Sequence, residues 1–335
     1  MKGERRKYSI MPIVSAKNLR AYYIVDVYGF KRTVKAVDDI SMEINENEIL
    51  GLAGESGCGK STLMKVLLGL VIAPLKVLNG QVIYSFNGFE KNIFELSEKE
   101  LENLKWEVFS YIPQGSMNIL NPTRKIGDTF FDFMEPHMEK FDKKYVREII
   151  IQHLGNLDLP AEILESFPHQ LSGGMKQRVT IALATILKPR IIFADEPTTA
   201  LDVVVQRDVI QLLKNIQKNS KNTIVLVTHD MAIHANLATR IAVMYAGKII
   251  EIAQTKDIFK NPLHPYTKYL ISSLPKIGDK TYKKSIPGAP PSLANPPEGC
   301  RFHPRCPEAK KECSESVPEL IELETGHKVA CFRIN

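Results

Sequence analysis

No apolar run in this sequence approaches the roughly 18 residues needed to span a bilayer, so no transmembrane helix is expected. The stretch from Met1 to Val14 has basic residues but neither an apolar core nor a small-residue cleavage site, which argues against a secretory signal. A cytosolic protein is expected, with any membrane role supplied by partners. There is no internal repeat at solenoid or propeller periods. Charge of one sign is not in great excess: a net +6 reads as an ordinary solvated surface and does not by itself point to nucleic acid. Cysteine is scarce. Of five, Cys58 stands alone in a glycine-rich loop, and Cys300, Cys306, Cys313 and Cys331 fall in the last 36 residues. In a reducing compartment such a cluster favours metal over disulfides.

What is present suffices for a sizeable core. A chain of 335 residues, 44% hydrophobic and 24% charged, suits one large domain with an appendage. Residues 13 to 50 read as short strands with apolar–polar alternation. A loop at Gly54–Gly59 leads into an apolar-periodic helix from Ser61 to about Val71, and residues 80 to 95 read as another strand pair. From about Ser97 to Pro168 the pattern turns mostly helical and charged, as an inserted lobe would. A helix at 173–187, a strand at 190–195, a helix at 203–218 and a strand at 222–229 follow. Strands that are apolar throughout and alternate with helices indicate a parallel sheet covered on both faces. Six prolines between Pro275 and Gly299 mark a semi-extended linker.

Gly54-Glu55-Ser56-Gly57-Cys58-Gly59-Lys60-Ser61, followed by Thr62, satisfies G-x-x-x-x-G-K-[ST]. Glycines let backbone N–H groups turn inward around phosphates without a Cβ clash. Lys60 brings a charge to the β- and γ-phosphates, the Ser61 hydroxyl ligates Mg²⁺, and the helix that starts here aims its positive end at the anion. The loop follows the apolar stretch Glu48–Ala53, as the motif requires, and Cys58 reads as a small loop residue. A second apolar stretch, Ile191-Ile192-Phe193-Ala194, ends in Asp195 and Glu196. A buried parallel strand delivers its C-terminal end to the ligand crevice. There Asp195 would hold Mg²⁺ and Glu196 would polarise an attacking water.

At Leu171-Ser172-Gly173-Gly174-Met175-Lys176-Gln177-Arg178 the sequence resembles the signature motif of the ABC transporter ATPases. The resemblance covers about residues 13 to 270. It implies a P-loop NTPase of α/β class: a RecA-like parallel core, an antiparallel β subdomain and an inserted helical subdomain at about 97–185. A C-terminal extension, 271–335, carries the linker and the cysteines. By the same resemblance Ser172, Gly173 and Gly174 contact the γ-phosphate held by an opposite subunit. Gln114 touches Mg²⁺ and water, Asp202 bridges the subunits, and His229 contacts the γ-phosphate. An aromatic stacks on adenine, with Tyr23 chosen over Tyr22 and Tyr28.

Pro168-His169-Gln170 ahead of that motif, Leu120-Asn121-Pro122, Asn261-Pro262-Leu263-His264-Pro265-Tyr266-Thr267 and Gly299-Cys300-Arg301-Phe302-His303-Pro304-Arg305-Cys306-Pro307 are similar to the oligopeptide and dipeptide importer branch. That branch implies ATP and Mg²⁺, a second homologous ATPase subunit, two membrane permease subunits and, indirectly, an extracytoplasmic binding protein. It implies no nucleic acid and a peripheral place on the cytoplasmic face of the membrane. The same branch also carries nickel or oligosaccharides. The tail spacing, C-x₅-C-x₆-C-x₁₇-C, lacks C-x₂-C pairs, and four thiolates can hold either Zn²⁺ or a [4Fe–4S] cluster. Resemblance to cluster-bearing relatives favours iron–sulfur. His303 and His327 read as polar surface residues, and the metal is expected to staple a tail that can build no core of its own. A soluble ATPase acting on ribosomes or DNA is disfavoured by the single cassette. A module without hydrolysis is disfavoured by intact Lys60, Asp195, Glu196 and His229.

Overall fold

The computed structural model describes residues 12–115, 119–274, 286–324 and 326–334. The N-terminal segment weighed as a signal and the start of the proline-rich linker lie mostly outside these residues. In chain order the strands are β1 (Pro12–Val27), β2 (Phe30–Asn45), β3 (Ile49–Ala53), β4 (Leu75–Phe86), β5 (Phe89–Asn92), β6 (Phe109–Ile112), β7 (Ile191–Asp195), β8 (Thr223–Val227), β9 (Arg240–Tyr245), β10 (Lys248–Gln254), β11 (Ile321–Glu324) and β12 (His327–Val329). The helices are α1 (Lys60–Leu67), α2 (Glu98–Leu104), α3 (Ile126–Met134), α4 (Lys143–Gly155), α5 (Gly173–Thr185), α6 (Val203–Ser220), α7 (Met231–Leu237), α8 (Thr255–Lys260), α9 (Pro265–Ser272) and α10 (Glu312–Glu315). No helix among the described residues is long and apolar enough to cross a membrane.

The chain divides into two compact units, Met1–Leu101 with Ala238–Asn335, and Glu102–Leu237. In the first, β2-β1-β4-β5 form an antiparallel sheet. The sequence reads as short strands over residues 13 to 50, but β1 and β2 run sixteen residues each. Register shifts within both pairings of β1 let the long ribbon bend, as bulges do. Strands β11-β12-β10-β9-β3 line up beside one another in the same unit, with β3 parallel to β9. Every residue of β3 is buried, the signature of a strand covered on both faces.

The second unit holds the parallel set β6-β7-β8, in which Phe109 aligns with Ile191 and Ile191 with Thr223. All five residues of β7 and of β8 are buried. Helix α4 turns Val146, Ile150 and Leu154 inward, one stripe at i, i+4, i+8. Strand β6 lies inside the stretch expected to be mostly helical. At four residues it is too short to show a period of two against its charged helical flanks.

The tail also departs from expectation. It contributes β11 and β12, which pair antiparallel, and β12 pairs in turn with β10. Phe302, Val329 and Ala330 are buried, so the tail has apolar anchoring of its own.

Candidate functional site

Strand β3 ends in the phosphate-loop sequence, and the backbone there needs glycine. Gly54 and Gly59 sit at φ +146° and +107°. A Cβ on Gly54 would stand 2.2 Å from the Met244 carbonyl oxygen, and one on Gly59 2.1 Å from that of Ala36. Both obstacles are backbone, so neither position accepts a side chain without moving a strand. Helix α1 begins at Lys60 with no side-chain cap and no acid in its first turn. Its positive end thus meets no carboxylate from its own first turn, which favours an anion. Lys60, only 6% exposed, donates from Nζ to the carbonyl oxygens of Gly54 at 2.7 Å and Glu55 at 3.0 Å. It is held across the loop by dipoles, not by a carboxylate. Ser61 is half-buried and Thr62 buried behind it. Burial raises the Cys58 thiol pKa, in keeping with a neutral packing residue.

The three candidate tyrosines separate clearly. Tyr23 is half-buried, with its hydroxyl 3.2 Å from Thr62 Oγ1 on α1. It lines a shallow hollow with Lys65, Ile72 and Pro74. Tyr22, the next residue along the strand, donates instead to Asp38, which Arg301 also engages. Burial and then that hydrogen bond push its pKa up to about 12. Tyr28, in the β1–β2 turn, is 97% exposed.

In the other unit, Asp195 closes β7 and is buried, with the Tyr111 hydroxyl 3.5 Å from its Oδ2. Burial raises the Tyr111 pKa, so the phenol stays protonated. Glu196 follows at φ +51°, a left-handed conformation that costs a non-glycine residue energy. Its N–H donates to the Val227 carbonyl at 2.8 Å, which fixes the turn. Oε1 accepts the His229 backbone N–H at 3.2 Å and lies 2.8 Å from its Nδ1, while Oε2 accepts from Thr199 Oγ1 at 3.1 Å. Asp202 Oδ1 caps α6 through Val204 and Val205 N–H, each at 3.0 Å. Ser172 Oγ caps α5 through Met175 N–H at 3.2 Å, and Ser172 and Gly173 are exposed. Gly174 is tightly packed, because a Cβ there would stand 2.9 Å from Val205 Cγ1. Gln114 lies exposed in the turn after β6.

Cys300, Cys306, Cys313 and Cys331 line one small cavity together with His264 and His303, and none is in a disulfide. Burial, then mutual proximity, raises the Cys300 pKa to about 11, and burial raises those of Cys306 and Cys331. The donor chemistry suits a soft metal. Among the described residues, however, no three His, Cys, Asp or Glu side chains are arranged to hold a metal ion. His327 is not the surface residue expected. It is buried, with Nε2 2.9 Å from Oε1 of the fully buried Glu251. Sequence reasoning also missed Arg305 and Tyr266, both of which reach Glu55 of the phosphate loop. A lone arginine between cysteines carries no pattern that would single it out.

The family model described as ABC transporter matches residues 37–199, and that described as oligopeptide/dipeptide transporter, C-terminal region, matches 250–313. The dipeptide transport ATP-binding protein DppD of Caldanaerobacter subterraneus is 43% identical, over 95% of this chain and 96% of its own length. The oligopeptide transport ATP-binding protein OppD of Escherichia coli is 38% identical over 90% and 88%. Among solved structures, the dimeric post-hydrolysis state of the ATP-binding cassette MJ0796, bound to ADP and Pi, superimposes with a TM-score of 0.62 at 27% identity. It covers 72% of this chain and 98% of that one.

Proposed function

Because this chain belongs to the ATP-binding proteins of the ABC transporters, we propose that it is the ATP-hydrolysing subunit of an importer for dipeptides or oligopeptides. The peptide cargo is argued from the relatives' names and from the match of the tail to the peptide-transporter C-terminal family. Nickel or oligosaccharide cargo is the alternative within the branch. The observation that carries the reading is the loop at 54–61, which combines Gly54 and Gly59, where a Cβ would strike a backbone carbonyl, a lysine that donates to the loop's own carbonyls, and a helix start with no side-chain cap.

In this reading Lys60 and the amides of residues 57 to 62 bind the phosphates of ATP, and Tyr23 stacks on the adenine. Ser61, Asp195 and Gln114 supply hard oxygen donors suited to Mg²⁺, which would neutralise the phosphate oxygens. Glu196 polarises the attacking water and His229 contacts the γ-phosphate. Ser172, Gly173, Gly174 and Asp202 serve a partner subunit's nucleotide, so turnover needs two ATPase subunits. The reading places this subunit beneath two permease subunits on the cytoplasmic membrane face, fed by an extracytoplasmic binding protein and without nucleic acid; the relatives' names support its part in peptide transport. The domain reading that goes with this is an ATPase domain at 13–270 and an extension at 271–335. We further propose that Cys300, Cys306, Cys313 and Cys331 hold a [4Fe–4S] cluster, with Zn²⁺ the alternative. Their convergence on one cavity supports it.

The test of the central claim is an ATP titration of the wild-type chain against Lys60→Ala. Loss of the phosphate counter-charge should weaken binding by roughly tenfold or more. Equal affinity in the two proteins overturns the assignment.

A further inference from the structure

The phosphate loop is braced from behind by the tail. Arg305, 8% exposed, forks its guanidinium onto the Glu55 carboxylate, with Nη1 2.8 Å from Oε2 and Nη2 3.1 Å from Oε1. The same guanidinium donates from Nε to the Pro287 carbonyl at 2.7 Å and from Nη1 to the Tyr245 hydroxyl at 3.1 Å. Glu55 is also held at its backbone, where its N–H donates to the Tyr266 hydroxyl at 2.9 Å. Tyr245, Tyr266 and Phe302 pack on one another with ring centroids 4.7, 5.2 and 5.5 Å apart. The second residue of the loop is thereby gripped at both its backbone and its side chain by residues drawn from 245 to 305.

Glu55 poses an electrostatic problem that this grip solves. A carboxylate in a loop that must receive a polyanion repels its ligand unless its charge is cancelled. A lysine could cancel the charge, but only a planar guanidinium cancels it and fixes the carboxylate plane through two parallel hydrogen bonds. Arg305 is itself immobilised by Tyr245 and the Pro287 carbonyl, so it presents the fork without further ordering.

We infer that Arg305 is a positioning residue for nucleotide binding, acting through Glu55. It keeps the loop carboxylate neutralised and the loop backbone in its phosphate-receiving shape. The inference rests on the reading of residues 54–62 as a triphosphate site. It makes the tail part of the nucleotide machinery of its own chain.

The experiment is a fluorescence titration of the full chain with Mg²⁺ and N-methylanthraniloyl-ATP, run on wild type, R305M, R305K, E55Q and the R305M/E55Q double variant. R305M should weaken affinity roughly tenfold, the scale of a charge-assisted hydrogen bond to a group left unpaired. In the E55Q background, where no carboxylate remains to repel phosphate, the same change should cost less than about twofold. A purely structural role for Arg305 would leave the two losses equal, and that result overturns the inference, as does wild-type affinity in R305M. Should R305M fail to fold, R305K decides: it should bind a few-fold more weakly at an unchanged nucleotide-free melting temperature, and unchanged affinity overturns the proposal. A wild-type chain that binds no nucleotide would instead sink the reading of the loop itself.

Discussion

His229 and Glu196 are joined twice: the same carboxylate oxygen accepts the His229 backbone N–H at 3.2 Å and lies 2.8 Å from its Nδ1. The histidine is thereby tied to the carboxylate proposed to activate water, and its exposed ring stands beside that carboxylate. Glu196→Gln keeps the size of the side chain and leaves an amide oxygen to accept the backbone N–H, but removes the charge that polarises water. Turnover by the assembled transporter should fall about 10²-fold or more, the usual weight of a general base, while ATP is still bound. Nucleotide should then remain trapped in a stable ATPase dimer, visible by size exclusion. Unaltered turnover refutes the role given to Glu196.

Four thiols on one cavity, none oxidised to a disulfide, need a reason to be together. Burial raises the pKa values of Cys300, Cys306 and Cys331 and so favours their protonated form, and a bound metal reverses that preference by binding thiolate. Protein purified without oxygen should be brown and contain acid-labile sulfide in step with iron. Cys306→Ser should remove the colour. A colourless preparation with one zinc per chain selects the alternative, and absence of both metals discards the proposal.

The shape of the glycine-rich loop was legible because its backbone fixes residue types at fixed spacing. The loop at 54–61 needs glycine wherever φ is positive or a strand carbonyl stands in the way, and those demands are written one residue at a time. Strands β7 and β8 were legible because burial on both faces makes them apolar throughout. Short pieces paired at long range were not. Strand β6 is specified by β7, eighty residues on, and β12 by β10. The choice among Tyr22, Tyr23 and Tyr28 needs the alternation of a strand whose register shifts at that point, which composition cannot supply. Arg305 was invisible for the same reason: its partner Glu55 lies 250 residues away.

Glu251 is the internal anchor of the tail. It is fully buried on β10 and accepts the N–H groups of Leu263 at 2.7 Å and His264 at 3.0 Å, with His327 Nε2 2.9 Å away on β12. Glu251→Ala would orphan all three at once. Breaking a buried polar pair this way costs about 3–5 kcal/mol, so the urea midpoint should drop markedly and β11–β12 should become open to limited proteolysis. His327→Ala leaves both backbone donors paired and should cost less, about 1–3 kcal/mol. Equal effects from the two variants would show that His327, not the backbone pair, is the principal partner.

His264 gives the protein a stability that depends on pH. Its ring is buried, and Nδ1 accepts the Tyr266 N–H at 3.0 Å to cap α9, which requires the neutral form. Burial, helped by nearby Lys268, lowers its pKa to about 3 from an ordinary value near 6.5. With the folded pKa below the unfolded one, the unfolded chain takes up a proton that the folded chain refuses. The stabilisation is therefore complete above about pH 6.5 and is lost as pH falls toward 3, by about 1.4 kcal/mol per unit from this one group. His264→Asn keeps a side-chain oxygen for the cap but cannot titrate. Its unfolding free energy should fall less steeply than that of wild type between pH 6.5 and 5. Parallel pH profiles for the two proteins would show that His264 is protonated without penalty and that its burial does not control the acid response.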